Sequence, residues 1–149
     1  SPSGADGGSC PQGATLLDLG SSRLCRKEGT EPGHVVKHGP AVYFNEDGTK
    51  SHEGEFADDK KVGVWKSYRT EAGKTYVEYE NNWRDGRQEG REVRLYASGA
   101  KEYEVDYREG VMHGSQRIYR EDGTLRTVVE YERGQLTNTI AYDEAGQQR

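Results

Sequence analysis

The chain has 149 residues and a formal net charge of −5, and 31% of its residues are hydrophobic while 32% are charged. Its Lys and Arg residues are interleaved with Asp and Glu, which argues against nucleic acid as a partner, because phosphate binding needs a basic surface. A globular core of ordinary size is excluded, since globular domains contain about 45–50% apolar residues. No apolar run is long enough to span a membrane, and no signal peptide is visible.

Small and flexible residue types dominate the first nine positions, SPSGADGGS. This composition predicts a disordered N-terminal linker over residues 1–9. Such a segment is typical of sequence that follows an export signal or a lipid anchor, so we expect a form that is exported or attached to the envelope as a lipoprotein.

Cys10 and Cys25 are the only cysteines and lie 15 residues apart. This spacing excludes a CxxC metal or redox pair, and two thiols without neighbouring histidines make a poor zinc site. A disulfide is favoured over two free thiols, and it predicts an oxidising location in the periplasm, at the outer membrane or outside the cell. We expect residues 10–37 to form a disulfide-bonded cap over the first hairpin.

The unit between Gly114 and Gly134 predicts a β-hairpin. A strand ends at Tyr119, Asp122-Gly123 forms a turn, and an alternating run leads to Tyr131. Asp-Gly between two alternating runs is a strong hairpin signal, because Gly tolerates the positive φ of a tight reversal. One hairpin is only marginally stable in water, so such units must stack on one another.

Glycines and aromatic residues recur in phase with this unit, which predicts a repeat domain over residues 38–149 with four full units and a partial fifth. The expected fold is an all-β, elongated single sheet of consecutive antiparallel hairpins. Unit two is two residues longer, which predicts a bulge or a longer strand near Glu80. The opening residues are Gly39, Gly63, Gly90, Gly114 and Asn138, the turn glycines are Gly48, Gly73, Gly99, Gly123 and Gly146, and the closing aromatics are Phe56, Trp83, Tyr107 and Tyr131.

Three features recur in most units: a His-Gly opening, an aromatic residue before a turn glycine, and a Glu and aromatic pair leading to the next glycine. They lie at His38-Gly39, Trp65, Tyr68 and Gly73, Glu78-Tyr79, Tyr96 and Gly99, Tyr107 and Gly110, His113-Gly114, Tyr119 and Gly123, and Tyr131 and Gly134. On these residues the chain resembles bacterial MORN-type repeat proteins over residues 38–146, in an exported form. The resemblance implies a protein-interaction scaffold, and bacterial members of the family are often labelled antitoxins.

No motif for catalysis is present. The chain lacks a glycine-rich phosphate loop, an HExxH sequence and a nucleophile elbow. His38 and His113 stand beside opening glycines, where we expect a structural role in a turn. We therefore predict a protein that is not an enzyme, with no catalytic residue, no metal site and no cofactor.

A single sheet has two faces, and this chain has too few aliphatic residues to bury both. Aromatic side chains on the wet face would form a platform for a protein or glycan partner. The candidate partner-binding residues are Trp65, Tyr68, Trp83, Tyr96 and Tyr119. We also expect the end strands to be available for pairing with another copy of the chain.

The sequence thus predicts a non-enzymatic interaction scaffold of the bacterial cell envelope that binds a macromolecule along its sheet. The alternative is an antitoxin or immunity protein that neutralises a basic toxin through an acidic surface. That surface would be a row of carboxylates placed seven residues after successive turn glycines: Glu55, Glu80, Asp106 and Glu130.

Overall fold

The structure, a computed structural model, describes residues 9–149. Residues 1–8, most of the predicted linker, lie outside the described residues. The described chain contains twelve β-strands and no helix. The strands are β1 (Thr15–Asp18), β2 (Ser22–Glu28), β3 (Val35–Phe44), β4 (Lys50–Ala57), β5 (Lys60–Glu71), β6 (Lys74–Arg84), β7 (Arg87–Gln88), β8 (Gly90–Leu95), β9 (Lys101–Arg108), β10 (Val111–Tyr119), β11 (Leu125–Glu132) and β12 (Gln135–Ala141).

All strands belong to one open sheet, in which each strand lies beside its neighbour in sequence except that β8 lies beside β6. Every pairing is antiparallel, and the two-residue β7 pairs only with β6. The predicted all-β sheet of consecutive hairpins is therefore confirmed. Cys10 and Cys25 form a disulfide, as predicted, and β1 and β2 of the predicted cap continue the same sheet.

Tight turns join successive units, and they all lie at the same ends of the strands. Both residues of each turn have positive φ, as a type I′ turn requires. The turns are Asp58-Asp59 (48° and 71°), Asp85-Gly86 (49° and 80°), Glu109-Gly110 (52° and 86°) and Arg133-Gly134 (52° and 82°). Asp59 replaces the usual glycine, and its carboxylate accepts the Lys37 N–H at 2.7 Å.

The opening glycines lie inside strands rather than at chain reversals. In β10, His113 pairs with Asp106 and Arg117 with Glu104, so three residues of β10 oppose one residue of β9. Gly114 is the first of these three and has a φ of 81°. It marks a β-bulge, which glycine permits as readily as a turn. His38 and His113 lie in β3 and β10 rather than in turns, and the expected structural role in a turn is seen for His38, whose Nδ1 accepts the N–H of the turn residue Asp58 at 3.2 Å.

The two additional residues of unit two lengthen its strands. The β5–β6 turn is only Ala72-Gly73, and the pairing runs regularly through Glu80, which faces Lys66. Asn82, which faces Val64, therefore takes the place that Glu55 has in unit one. The predicted acidic row is wrong at Glu80, since Asn82 interrupts it.

A compact core occupies the N-terminal half of one face. Its centre is Trp65, whose side chain is 3% exposed and whose Nε1 donates to the Glu55 carbonyl at 3.0 Å. Gly54 makes room for the indole, because a Cβ at Gly54 would lie 2.1 Å from a Trp65 ring atom. We call this side of the sheet the core face. The buried cluster comprises Leu24, Ala41, Phe56 and Trp65, with Leu17, Tyr43 and Trp83 packed against it.

Candidate binding surface

The core face continues past Trp65 into a polar and aromatic region. Residues paired across neighbouring strands point to the same side of a sheet. Trp65 pairs with Asn81, and Glu92 pairs with Val105, while the Asn81 amide bonds the Glu92 carboxylate. The same face is therefore apolar over β1–β6 and carries hydrogen-bonding groups from β6 onward.

Glu92 is the centre of a hydrogen-bonded cluster, the Glu92 cluster, formed with Asn81, Gln88 and Tyr103. Glu92 is 7% exposed. Its Oε1 accepts from Asn81 Nδ2 at 2.5 Å and from Gln88 Nε2 at 2.9 Å, and its Oε2 accepts from the Tyr103 hydroxyl at 2.7 Å. Burial and the bond to Glu92 raise the pKa of Tyr103 strongly, so the phenol stays protonated as the donor. This carboxylate is satisfied internally, which assigns it a structural role.

A row of partly exposed aromatic side chains borders this cluster. We call Trp83, Tyr107 and Tyr131 the aromatic row. Each pairs with the bulge glycine of the preceding strand, respectively Gly63, Gly90 and Gly114, so no side chain opposes the ring there. The three rings lie on β6, β9 and β11, two strand spacings apart, which corresponds to about 10 Å.

Several hydrogen-bonding groups beside this row have no protein partner. Among the described residues, the hydroxyls of Tyr79 and Tyr107 and the indole N–H of Trp83 form no hydrogen bond. Burial raises the pKa of the Tyr107 hydroxyl, and the charges of Glu92, Tyr131 and Tyr79 raise it further. The surface therefore combines aromatic rings with free donors and acceptors.

Cationic side chains lie over the aromatic rings at the N-terminal side of the aromatic row. Lys61 Nζ lies 4.7 Å from the Trp65 ring centroid and 4.6 Å from that of Trp83. Burial, together with the charge of Lys37, lowers the pKa of Lys61. The Arg94 guanidinium lies 5.2 Å from the Tyr79 ring centroid. Tyr107 and Tyr131, which have no such cation over them, form the open part of the row.

The five candidates predicted from the sequence do not form one platform. Trp65 is a core residue, so the expectation that it lies on a wet face is wrong. Trp83 lies in the aromatic row, while Tyr68 and Tyr119 donate to Glu53 at 2.6 Å and to Glu104 at 3.1 Å. These two glutamates precede the core-face residues Gly54 and Val105, which places them on the opposite face. Tyr96 is at a hairpin end, where its hydroxyl donates to the Tyr119 carbonyl at 2.7 Å.

Sequence reasoning missed Tyr107 and Tyr131 as surface residues. Both belong to the column of closing aromatics, so a signal was present in the spacing. The spacing does not show which of these aromatics is buried, since Phe56 pairs with the bulge glycine Gly39 as Tyr107 pairs with Gly90, yet Phe56 packs against Trp65 in the core.

The opposite face carries a repeated contact of Lys, Glu and Tyr. Lys101 Nζ lies 2.9 Å from a Glu104 oxygen, and Tyr119 donates to the other oxygen. Lys50 and Tyr68 likewise bond Glu53, although both contact the same oxygen, Oε2. Burial favours the neutral carboxyl of Glu104, but the bonds from Lys101 and Tyr119 outweigh burial and lower its pKa.

Glu104→Gln should therefore lower the free energy of unfolding at neutral pH, with an effect that vanishes in acid. A carboxylate whose folded pKa is depressed stabilises the protein above its unfolded pKa, about 4.3, and loses this contribution as the pH falls through the folded pKa. Urea unfolding of both proteins from pH 7 downward measures the difference. Glu46→Gln, on an exposed loop, is the control. A Glu104→Gln difference that stays constant with pH would contradict the assignment.

No group of three or more His, Cys, Asp and Glu residues is placed to hold a metal ion in the part of the chain that the structure describes. Among residues 9–149 no helix is long and apolar enough to cross a membrane. No protein-family model matches the chain, and no curated protein matches it either. The likeness to MORN-type repeats stays a prediction.

Proposed function

We propose that this protein is a non-enzymatic, MORN-type interaction scaffold of the bacterial cell envelope that binds a macromolecular partner along its core face. The observation that carries the proposal is the aromatic row, which presents partly exposed rings on alternate strands beside unbonded hydroxyl and indole groups. Regular spacing suits an extended partner that meets equivalent groups in successive units. Aromatic residues at such sites supply large contact areas with a polar edge.

The disulfide supports the proposed location. Structural disulfides persist in oxidising compartments and are rare in the cytosol. The Cys10–Cys25 bond and the buried Cys25 side chain, which is 1% exposed, favour an extracytoplasmic protein. We propose the periplasm, the outer membrane or the cell exterior.

An antitoxin or immunity role has less support, because the acidic row on which it depends is smaller than the sequence predicts. Asn82 interrupts it, and Asp106 pairs with Arg91 at 3.3 Å. A tight complex with a basic protein, weakened strongly by salt, would favour this alternative.

Affinity capture from an envelope extract of the source organism tests the proposal. The wild type should capture a component of the extract that the Tyr107→Ala/Tyr131→Ala variant does not capture. This component is then identified and purified. Tyr76→Ala is the matched control, since Tyr76 bonds only Glu71 near the tip of the β5–β6 hairpin, at 3.3 Å. Circular dichroism confirms that the variants are folded. Equal recovery by the wild type and the double variant would refute binding at the aromatic row.

A further inference from the structure

We infer that the partner is a neutral β-linked glycan whose sugar rings stack on Tyr107 and Tyr131. This inference rests on the proposed function and specifies the ligand of the same surface. It follows from the charge of the open part of the row, its unused hydrogen-bonding groups and its spacing.

The open part of the row carries no free charge. β10 lies between Tyr107 and Tyr131, and its core-face side chains are uncharged: Met112, which pairs with Tyr107, Gln116, which pairs with Val129, and Ile118, which pairs with Tyr103. Glu92 is the nearby carboxylate, and its oxygens are occupied by neutral donors. A charged ligand would find no opposite charge here, so the surface suits an uncharged one.

The unused groups match sugar hydroxyls. A tyrosine hydroxyl both donates and accepts, as does each sugar hydroxyl. In the open part of the row the Tyr107 hydroxyl has no partner among the described residues, whereas the Tyr131 hydroxyl donates to Gln116 Oε1 at 3.5 Å; the Tyr79 hydroxyl and the Trp83 N–H at its border are also without a hydrogen-bond partner there. A hydrocarbon ligand would cover these groups without bonding them, which costs free energy.

A peptide fits this surface less well. Strands β8–β11 pair with neighbours on both sides, so their backbone cannot accept an added strand. Strand addition, a common mode of peptide binding, is available only at a sheet edge. The open part of the row lies between the edges, where side chains alone make contact.

The spacing of the rings sets the direction of the glycan. Tyr107 and Tyr131 are about 10 Å apart, because one strand lies between theirs. In a β-1,4-linked chain alternate sugars present the same face at a similar repeat. Alternate sugars would therefore stack on Tyr107 and Tyr131, with the sugar between them over Met112 and Gln116, and the chain would run across the strands.

Calorimetric and NMR titrations of the purified protein test the inference. The probes are hexasaccharides of β-1,4-linked glucose and of β-1,4-linked N-acetylglucosamine, with α-linked maltohexaose as the linkage control. We expect a β-linked hexasaccharide to bind, and Tyr107→Ala and Tyr131→Ala each to weaken the association about tenfold. If Tyr107→Ala does not fold, Tyr107→Leu replaces it in the test, because leucine keeps apolar volume but has no ring. Tyr76→Ala should bind as the wild type does.

Absence of binding to both β-linked hexasaccharides at millimolar concentration would overturn the inference, as would affinity that the tyrosine substitutions leave unchanged. The captured envelope component separates this failure from failure of the proposed function. A component that depends on Tyr107 and Tyr131, and that protease destroys while cellulase and chitinase do not, would refute the glycan and leave the scaffold standing. A component that is captured equally without the two tyrosines would refute both the glycan inference and binding at the aromatic row.

Discussion

Trp65→Ala should lower the free energy of unfolding by about 3–5 kcal/mol, as the loss of a buried large aromatic side chain usually does. Trp65 is 3% exposed and contacts Phe56 edge to face with ring centroids 5.0 Å apart. The substitution removes the centre of a small core and leaves the Glu55 carbonyl without its indole donor. Urea unfolding at neutral pH measures the loss.

Gly54→Ala provides the matched test of this packing. A Cβ at Gly54 would lie 2.1 Å from the Trp65 ring, so the ring must move and the protein should lose about 1–3 kcal/mol or more. In the Trp65→Ala background the clash is absent and Gly54→Ala should cost little. The two effects should therefore be strongly non-additive. Additive losses would contradict the contact between Gly54 and the indole.

Removal of the disulfide should cost about 3 kcal/mol, the value expected for a loop of about 15 residues. Cys10 and Cys25 are separated by 15 positions, and the bond holds Pro11 against Gly39, where an added Cβ would meet Pro11 Cδ at 2.5 Å. The consecutive residues Ala41 and Val42 are both 0% exposed, so both faces of the sheet are covered here.

Thermal and urea unfolding of the wild type with and without reductant measure this contribution. The Cys10→Ser/Cys25→Ser variant should match the reduced wild type and should not respond to reductant. Equal stability of the oxidised and reduced wild type would show that the packing around Gly39 forms without the bond.

The repeat made the fold predictable because glycine and aromatic spacing report hairpin length directly. Gly123 and Tyr131 were enough to define the strands of unit four. The bulges were not predictable, because a glycine with positive φ occurs both within a strand, as at Gly114, and in a turn, as at Gly123. The sequence shows only a glycine in either case. The acidic row was predicted by counting seven residues from each turn glycine. Because the hairpin around Ala72-Gly73 has longer strands, this count reached Glu80 instead of Asn82.

The surface was less predictable than the fold. Alternation tells which residues share a face, but the face that becomes buried depends on contacts such as that of Trp65 with Gly54. Tyr68 and Tyr79 lie close to one hairpin but on opposite faces, because Tyr79 faces Ser67, the residue before Tyr68. Column spacing alone could not separate Phe56 in the core from Tyr107 on the surface, although both are closing aromatics.

The order of the strands in the sheet also governs how the molecule comes apart. Apart from the two-residue β7, which leaves β8 beside β6, each strand is bonded only to its sequence neighbours, and in residues 9–149 no long-range strand ties the two ends together. Local opening can then spread one hairpin at a time, as in other linear arrays. The disulfide and the small core anchor the first strands, whereas β12 has a single bonded flank and mostly exposed side chains. Fraying should begin at the last hairpin and advance toward the anchored end, so that amide hydrogens of β12 should exchange faster than those of β3 to β5.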